Sequence, residues 1–315
     1  MVTLNQTYSL RNKSIDVLSI GEILVDMISD SYENLHGNNR FQVFFGGSPA
    51  NICMNVNKLG AKAKLCASVG NDRFGDFLVS HLEKQKVETD LIQRTKLPTS
   101  MVVVNKSKDT PVPAFYRGAD YGFHFTEQLK KAIDESMILH ISSWPISKKA
   151  SREVINQAID YAKDQGVLIG FDPNYHQGLW EDNEDGTEII KEVIGKVDIL
   201  KPSEDDANRL FGEDTPENQI EKFHELGCQF VIMTLGKDGA IVSCEGEKVS
   251  HETKATDIVD TTGAGDAFWS GFYTGITQGE TIEKAVEIGL LTSAYKLKFV
   301  GAVVDLPHYQ DLYQI

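Results

Sequence analysis

Cysteine is scarce in this 315-residue chain, and what there is lies far apart: Cys53, Cys66, Cys228 and Cys244, with no C-x-x-C pair. That spacing excludes a zinc knuckle and a thioredoxin-type redox centre, and leaves small buried thiols as the expectation. Eight histidines are present, but no H-E-x-x-H; His224-Glu225 and His251-Glu252 both lack the second histidine, so no protein-built metal cage is read. Long apolar runs are missing as well. None reaches the roughly 18 to 20 residues of a membrane span, and residues 1–12 are polar rather than signal-like. Basic charge is the minority sign, 31 Lys and Arg against 46 Asp and Glu, a net charge of −15. Nucleic acids and anionic membranes reward clustered cations, so neither is an expected partner. The expectation is a soluble, cytoplasmic protein.

What is present is a core: 41% of the residues are hydrophobic, enough to fill one large α/β domain. Apolar, β-branched runs at 16–25, 63–69, 137–141, 167–171, 197–200 and 230–234 predict strands. Helical patterns at 49–59, 76–84, 149–165 and 218–226 lie between them. This alternation predicts βαβ units, hence a mostly parallel sheet with helices on both faces. One stretch breaks the rhythm: residues 99–106 followed by Phe115-Tyr116-Arg117 read as a hairpin, with Asp109-Thr110-Pro111 near its turn. With residues 27–45 it predicts a small second sheet, a discontinuous lid from about 27–45 and 97–117. The chain has no low-complexity linker and no internal repeat, so residues 1–315 read as a single domain with an inserted lid.

The run Asp260-Thr261-Thr262-Gly263-Ala264-Gly265-Asp266 carries the chemistry. Residues 257–262 lead out of an extended segment and 267–274 continue as a helix, which places Gly263-Ala264-Gly265 at a helix N-terminus, where free N–H groups and the dipole bind anions. It is not a Walker A loop, because no Gly-Lys-Ser/Thr follows, and not a dinucleotide fingerprint, because Phe268 holds the place of the third glycine. Two readings are open for the motif alone. Thr262 is a cap with Asp266 merely complementing the dipole, or Asp266 is a base beside an anion cradle. Phosphorylating a hydroxyl needs both a base near the acceptor oxygen and amides that stabilise charge on the transferring group. Held at a helix end, Asp266 is expected to stay ionised and to act as a weak base that accepts its proton late.

The run matches the D-T-x-G-A-G-D motif of the ribokinase-like (phosphofructokinase B) sugar kinases. The N-terminal half carries a second motif of that family, Gly46-Gly47-Ser48-Pro49-Ala50-Asn51, followed by Leu59-Gly60, Val69-Gly70-Asn71-Asp72 and Phe74-Gly75. The resemblance spans about residues 16 to 307. It implies a Rossmann-like core with a β lid, Mg·ATP as phosphoryl donor and a sugar under the lid. Asp266 then matches the catalytic base, and Gly263, Ala264 and Gly265 the anion hole. Asp26, in Gly21-Glu22-Ile23-Leu24-Val25-Asp26, matches the aspartate that holds sugar hydroxyls, a role suited to a carboxylate facing vicinal donors. Gly46, Gly47 and Asn51 resemble the remaining sugar-side positions, and Arg117 the lid-side arginine that meets the substrate. Thr234, Gly236 and Gly239 resemble the turn beside the nucleotide, and Lys201, with Ser203 and Asp206, the ATP and Mg²⁺ network. The resemblance also admits a homodimer through the lid.

The chain departs from the family pattern at three places. Ser203 and Asp206 stand where many members show N-x-x-E. His176 stands where an arginine is common. Asp260 and Thr262 resemble a monovalent-cation site, yet Asp305 replaces the serine that often completes it, which leaves K⁺ activation as an option only. Residues around Arg117 and Gly178-Leu179-Trp180 resemble bacterial fructokinases, which implies phosphorylation of fructose to fructose 6-phosphate. A 2-keto-3-deoxygluconate kinase is the closest alternative, mildly disfavoured by His176. A sugar-binding sensor without catalysis is the alternative from another class, and a hydride-transferring dehydrogenase is the third.

Overall fold

The computed structural model describes residues 3–30, 40–106, 113–244 and 246–314. Strand β1 (Ile15–Ile20) opens the main sheet and β2 (Leu24–Ser29), β3 (Phe41–Gly46) and α1 (Ser48–Leu59) follow. Next come β4 (Ala63–Gly70), α2 (Arg73–Lys84), β5 (Ile92–Thr95), β6 (Met101–Val104), β7 (Ala114–Tyr116), α3 (Glu127–Asp134), β8 (Ser136–Ser142) and the short α4 (Ser143–Ile146). The central part holds α5 (Lys149–Asp164), β9 (Leu168–Asp172), α6 (Gly186–Ile194), β10 (Ile199–Leu200), α7 (Glu204–Phe211) and α8 (Pro216–Glu225). The chain closes with β11 (Phe230–Thr234), β12 (Ala240–Cys244), β13 (Glu247–His251), α9 (Ala264–Thr277) and α10 (Ile282–Leu297).

Nine strands form the main sheet in the order β13-β12-β11-β10-β9-β8-β1-β4-β5. All neighbours from β11 to β5 are parallel, and β12 and β13 add an antiparallel edge. The period of two is visible in β1, where Val17 packs into one core and Leu18 and Ile20 into the other. One face is covered by α1, α2, α9 and α10, the other by α3, α5, α6, α7 and α8. Because both faces are buried, the strands read as nearly continuous apolar runs rather than as alternating ones.

The stretch 16–25, expected as one strand, is two. After Ile20 the chain turns through buried Glu22 and Ile23 and resumes as β2 in a second sheet, of order β3-β2-β6-β7. An apolar run says that residues are buried; it does not say against which sheet. In the small sheet β3 and β7 run antiparallel to their neighbours, while β2 and β6 are parallel. This is the expected second sheet, though the turn at 109–111 and residues 31–39 lie outside the described residues. The β12–β13 hairpin and α10 were not anticipated from the sequence.

Candidate active site

Two helix N-termini meet at one carboxylate. The first is α1, N-capped by Gly47 with Pro49 in its first turn, where proline costs no hydrogen bond. Its residues Ser48 and Asn51 are three apart and therefore share a face. Both point at Asp266: Ser48 Oγ donates to Oδ1 at 2.6 Å and Asn51 Nδ2 to Oδ2 at 2.9 Å. The second is α9, which starts at Gly263 in the left-handed region with φ 76°. A side chain there would be strained, and its Cβ would meet Ala302 Cβ at 2.7 Å. Glycine at this position is thus a geometric requirement.

The carboxylate of Asp266 behaves differently from the expectation of a fully stabilised, weakly basic group. Burial pushes its pKa up, opposed by the hydrogen bonds from Ser48 and Asn51 and by the charges of Lys201 and Lys296, and the net shift is upward. A raised pKa strengthens it as a proton acceptor. The amide cradle also differs in detail. The Ala264 N–H donates to the Thr261 carbonyl at 3.1 Å, so that amide is engaged within the turn, while the N–H groups of Gly263 and Gly265 have no backbone acceptor among the described residues.

Lys201 leaves β10 toward this cradle. Its Nζ is 3.6 Å from where a Gly265 Cβ would sit, and it pairs with Asp172 Oδ2 at 3.2 Å in a buried ion pair. Trp269 Nε1 donates to the same Asp172 oxygen at 2.9 Å. Burial raises Asp172 to about 6, with Lys201 opposing and the charges of Asp206 and Asp266 adding to the rise. Lys201 is therefore a fixed cation beside the N-terminus of α9, held by a partner that the sequence reading did not single out.

A cavity of about 430 Å³ adjoins the cradle. Its lining includes Ser203, Thr234, Gly236, Gly239, Ala264 and Gly265, all singled out from sequence, and apolar walls from Ile258, Phe268, Leu290 and Leu297. Asp206 is not among the lining residues. Its Oδ1 accepts the Tyr175 N–H at 2.8 Å, and its Oδ2 accepts from Ser203 N and Oγ at 2.9 and 2.6 Å, closing a capping box at the start of α7. Asp206, expected near the Mg²⁺ and phosphate water, makes a capping box here, with both oxygens accepting from the protein. The acidic side chains that do reach the cavity are Glu204 and Asp205.

The residues expected at the sugar end are Asp26, Gly46, Gly47 and Asn51. Asp26 projects from β2, and Gly46, on the paired strand β3, leaves room for it: a Cβ at that glycine would collide with the Asp26 carboxylate. Among the described residues that carboxylate has no hydrogen-bonding or ionic partner, and burial alone lifts its pKa to about 6. The Oδ1 of Asn51, buried, also lacks a partner among the described residues. Asp26 and Asn51, whose Nδ2 reaches Asp266, thus each present an unpartnered acceptor among the described residues.

Arg117, expected at the substrate, is tied into the protein. Its guanidinium pairs with buried Asp120 at 2.5 Å, donates to Ser147 Oγ at 2.8 Å and to the Trp144 carbonyl at 3.3 Å, and lies 4.6 Å over the Trp144 ring. With Nε, Nη1 and Nη2 all engaged, it serves as a strut between the small sheet and α4 rather than as a free anion ligand. His176 is neutral at ordinary pH, since burial and the Arg209 charge lower its pKa. It meets Phe115 of β7 edge-on at 4.9 Å. It does not replace the cationic contact that an arginine would make.

The cation site expected at Asp260 and Thr262 takes another form as well. Thr262 N and Oγ1 donate to Asp260 Oδ1, and Gly301 N to Oδ2 at 2.7 Å. The ammonium of Lys296, whose side chain is fully buried, donates to the Asp260 backbone carbonyl at 2.6 Å. Asp305 is exposed and does not join them. Ser48, Asp172 and Lys296 were not singled out from sequence; only Ser48, three residues before Asn51 on a helix, left a readable signal.

Comparison with known proteins agrees with this arrangement. The pattern of the pfkB family carbohydrate kinases matches residues 14–308. An ATP-dependent 6-phosphofructokinase of Thermoanaerobacterium thermosaccharolyticum is 50% identical over 307 residues, 98% of this chain and 95% of that protein. Among solved structures, a Halothermothrix orenii fructokinase superposes with a TM-score of 0.78 at 38% identity, covering 88% of this chain and 98% of that one. A Vibrio cholerae fructokinase, solved with fructose, ADP and calcium, gives a TM-score of 0.82 at 26% identity, covering 95% and 97%. The motifs at both helix N-termini and the full-length match agree, and the chain belongs to the pfkB family of carbohydrate kinases.

Proposed function

We propose that this sugar kinase transfers the γ-phosphoryl group of Mg·ATP to a primary hydroxyl of fructose, with Asp266 as the base. The observation that carries the reading is the convergence of Ser48, Asn51 and the N-terminus of α9 on one carboxylate of raised pKa. The nucleotide occupies the cavity between the 234–239 turn and α10, its ring on the apolar wall and its phosphates toward Gly263 and Gly265. Lys201 offsets charge on the transferring group. Mg²⁺ shields the phosphates when bound; Glu204 and Asp205 are the acids on the cavity wall, and no three-ligand cage exists among the described residues, which fits an ion that arrives on ATP. Asp26 and the free Asn51 oxygen accept sugar hydroxyls. Closure of the small sheet, through Phe115 against Trp144 and His176, excludes water. Use of ATP fits a cytoplasmic setting. The exposed Val43, Phe44 and Tyr116 on the small sheet support pairing of two copies through it.

Free fructose is preferred on the geometry, because Arg117 is committed to Asp120 and His176 is neutral, so neither offers a 6-phosphate a free charge. A second reading, fructose 6-phosphate as acceptor, is favoured by the 50% identical relative. An ADP-release assay over fructose, fructose 6-phosphate, 2-keto-3-deoxygluconate, other hexoses and nucleosides separates them. The expected result is the highest kcat/KM with fructose, and a fall of about 10²- to 10⁴-fold on Asp266→Asn. Turnover of Asp266→Asn at the parent rate would overturn the assignment of the base, and preference for fructose 6-phosphate would establish the second reading.

A further inference from the structure

The loop that carries the anion cradle is stitched from behind. Val259 N and Asp260 N both donate to the Leu297 carbonyl, at 2.8 and 3.4 Å, and Asp260 Oδ2 takes the Gly301 N–H. Into this stitch α10 inserts Lys296, one residue before its C-terminus, fully buried and donating from Nζ to the Asp260 carbonyl at 2.6 Å. A monovalent cation seated at Asp260 and Thr262 would compete with this ammonium for the same carbonyl oxygen and meet its like charge. The ammonium already occupies that position, so the residues present do not fit K⁺ there.

We propose that Lys296 is a built-in cation that does the work of a dissociable one: it fixes the 260–263 loop so that the Gly263 and Gly265 amides keep their aim at the phosphates. Lys296 is a positioning residue, since it acts through the Asp260 carbonyl. The groups whose charge it feels are Asp260 and Asp266, and both favour its ammonium form against the cost of burial. Reciprocally, its charge helps hold the Asp260 carboxylate below the ordinary range, together with the hydrogen bonds from Gly301 and Thr262 and against the opposing effect of burial. The chemistry is that of a K⁺-sized monocation, delivered covalently on a helix and therefore unable to leave. The consequence is a kinase whose nucleotide site ignores the surrounding alkali cation.

This inference rests on the reading of the cavity as the Mg·ATP site, and Mg·ATP affinity by calorimetry tests it without any sugar. The expected result is equal affinity in potassium, sodium and choline chloride at matched ionic strength, with turnover equally indifferent. Affinity or turnover raised several-fold by potassium over choline would overturn the proposal while leaving the kinase reading intact. Absence of any Mg·ATP binding would instead remove the nucleotide-site reading, and this proposal with it. Lys296→Ala is expected to bind Mg·ATP about ten-fold more weakly in choline, with part of the loss recovered in ammonium or methylammonium, and Lys296→Arg is expected to retain the indifference to cation. Unchanged affinity in folded Lys296→Ala would overturn the role. Circular dichroism checks folding of both variants, and the wild-type cation series decides the matter if neither folds.

Discussion

Asp266 is tuned by two donors from a different part of the chain. The Ser48 hydroxyl favours the ionised form, so Ser48→Ala removes a contribution that lowers the pKa of the base. A base must be deprotonated to act, and activity falls as pH drops through its pKa. The acid limb of the kcat profile is therefore expected to move to higher pH in Ser48→Ala, with the alkaline rate reduced less than in Asp266→Asn. Asp26 makes the opposite case, a group whose charge costs stability. Its folded pKa of about 6 lies above the ordinary carboxylate value, with burial as the cause. Between pH about 4 and 6 the folded state holds a proton that the unfolded state has released, so stability falls as pH rises through that window and stays lowered above it. Asp26→Asn is accordingly expected to raise the melting temperature at pH 8, by a gain of up to about 3 kcal/mol, with no gain near pH 4. The same change is expected to raise the KM for sugar, an affinity–stability exchange typical of binding groups kept without a partner.

At the scale of elements, the site hangs on how α1, α7 and α9 begin. The start of α7, Lys201-Pro202-Ser203-Glu204-Asp205-Asp206, resembles the family's nucleotide and Mg²⁺ segment by position. The same four residues Ser203 to Asp206 satisfy the capping-box pattern of a hydroxyl followed three positions later by an acid, and that local hydrogen bonding takes both Asp206 oxygens. Asp206→Ala is expected to cost about 1–3 kcal/mol in unfolding free energy, measured by urea titration. Its effect on the KM for ATP should be smaller than that of Lys201→Ala, whose ammonium faces Gly265. A larger ATP effect in Asp206→Ala than in Lys201→Ala would return Asp206 to the nucleotide site. Between α9 and α10 the packing leaves no tolerance either: Gly271 and Gly275 let the helices approach at Thr292 and Ala285. This close contact also brings the C-terminal turn of α10, and Lys296 with it, behind the cradle.

Across the whole molecule, the four cysteines give a probe of global unfolding. All are buried, and burial raises the thiols of Cys66 and Cys228 to about 12 and that of Cys53 higher still. A thiol of that kind is neither ionised nor accessible at neutral pH. Native protein is expected to resist alkylation by iodoacetamide, with labelling of Cys53, Cys66 and Cys228 appearing together across the urea transition. Rapid labelling of one of them without denaturant would reveal a local opening of its face of the sheet. The acidic surface acts at this scale as well. Net charge −15 repels ATP, and the local donors Lys201, Gly263 and Gly265 must overcome that field, which makes the shielding by Mg²⁺ part of recognition and not only of chemistry.

The sequence by itself determined the parts of this protein that are local. The alternation of buried strands and amphipathic helices is written in period, and gives a parallel sheet covered on both faces. Glycine at 263 is dictated by a left-handed φ, and the carboxylate after the cradle by the chemistry of a helix N-terminus. What only tertiary structure decided are the pairings between distant segments. Ser48 and Asn51 lie more than 200 positions before Asp266, yet both donate to its carboxylate. Arg117 resembles the family's substrate-side arginine by position, and only the fold shows Asp120, Ser147 and Trp144 gathered around it. Lys296 sits in an ordinary helical run, and nothing short of the packing of α10 on the 260–263 loop reveals its contact with the Asp260 carbonyl. The physical reason is the same throughout. Backbone preferences and burial are properties of neighbours along the chain, whereas the charge state and hydrogen bonding of a side chain depend on whatever the fold brings within a few ångströms of it.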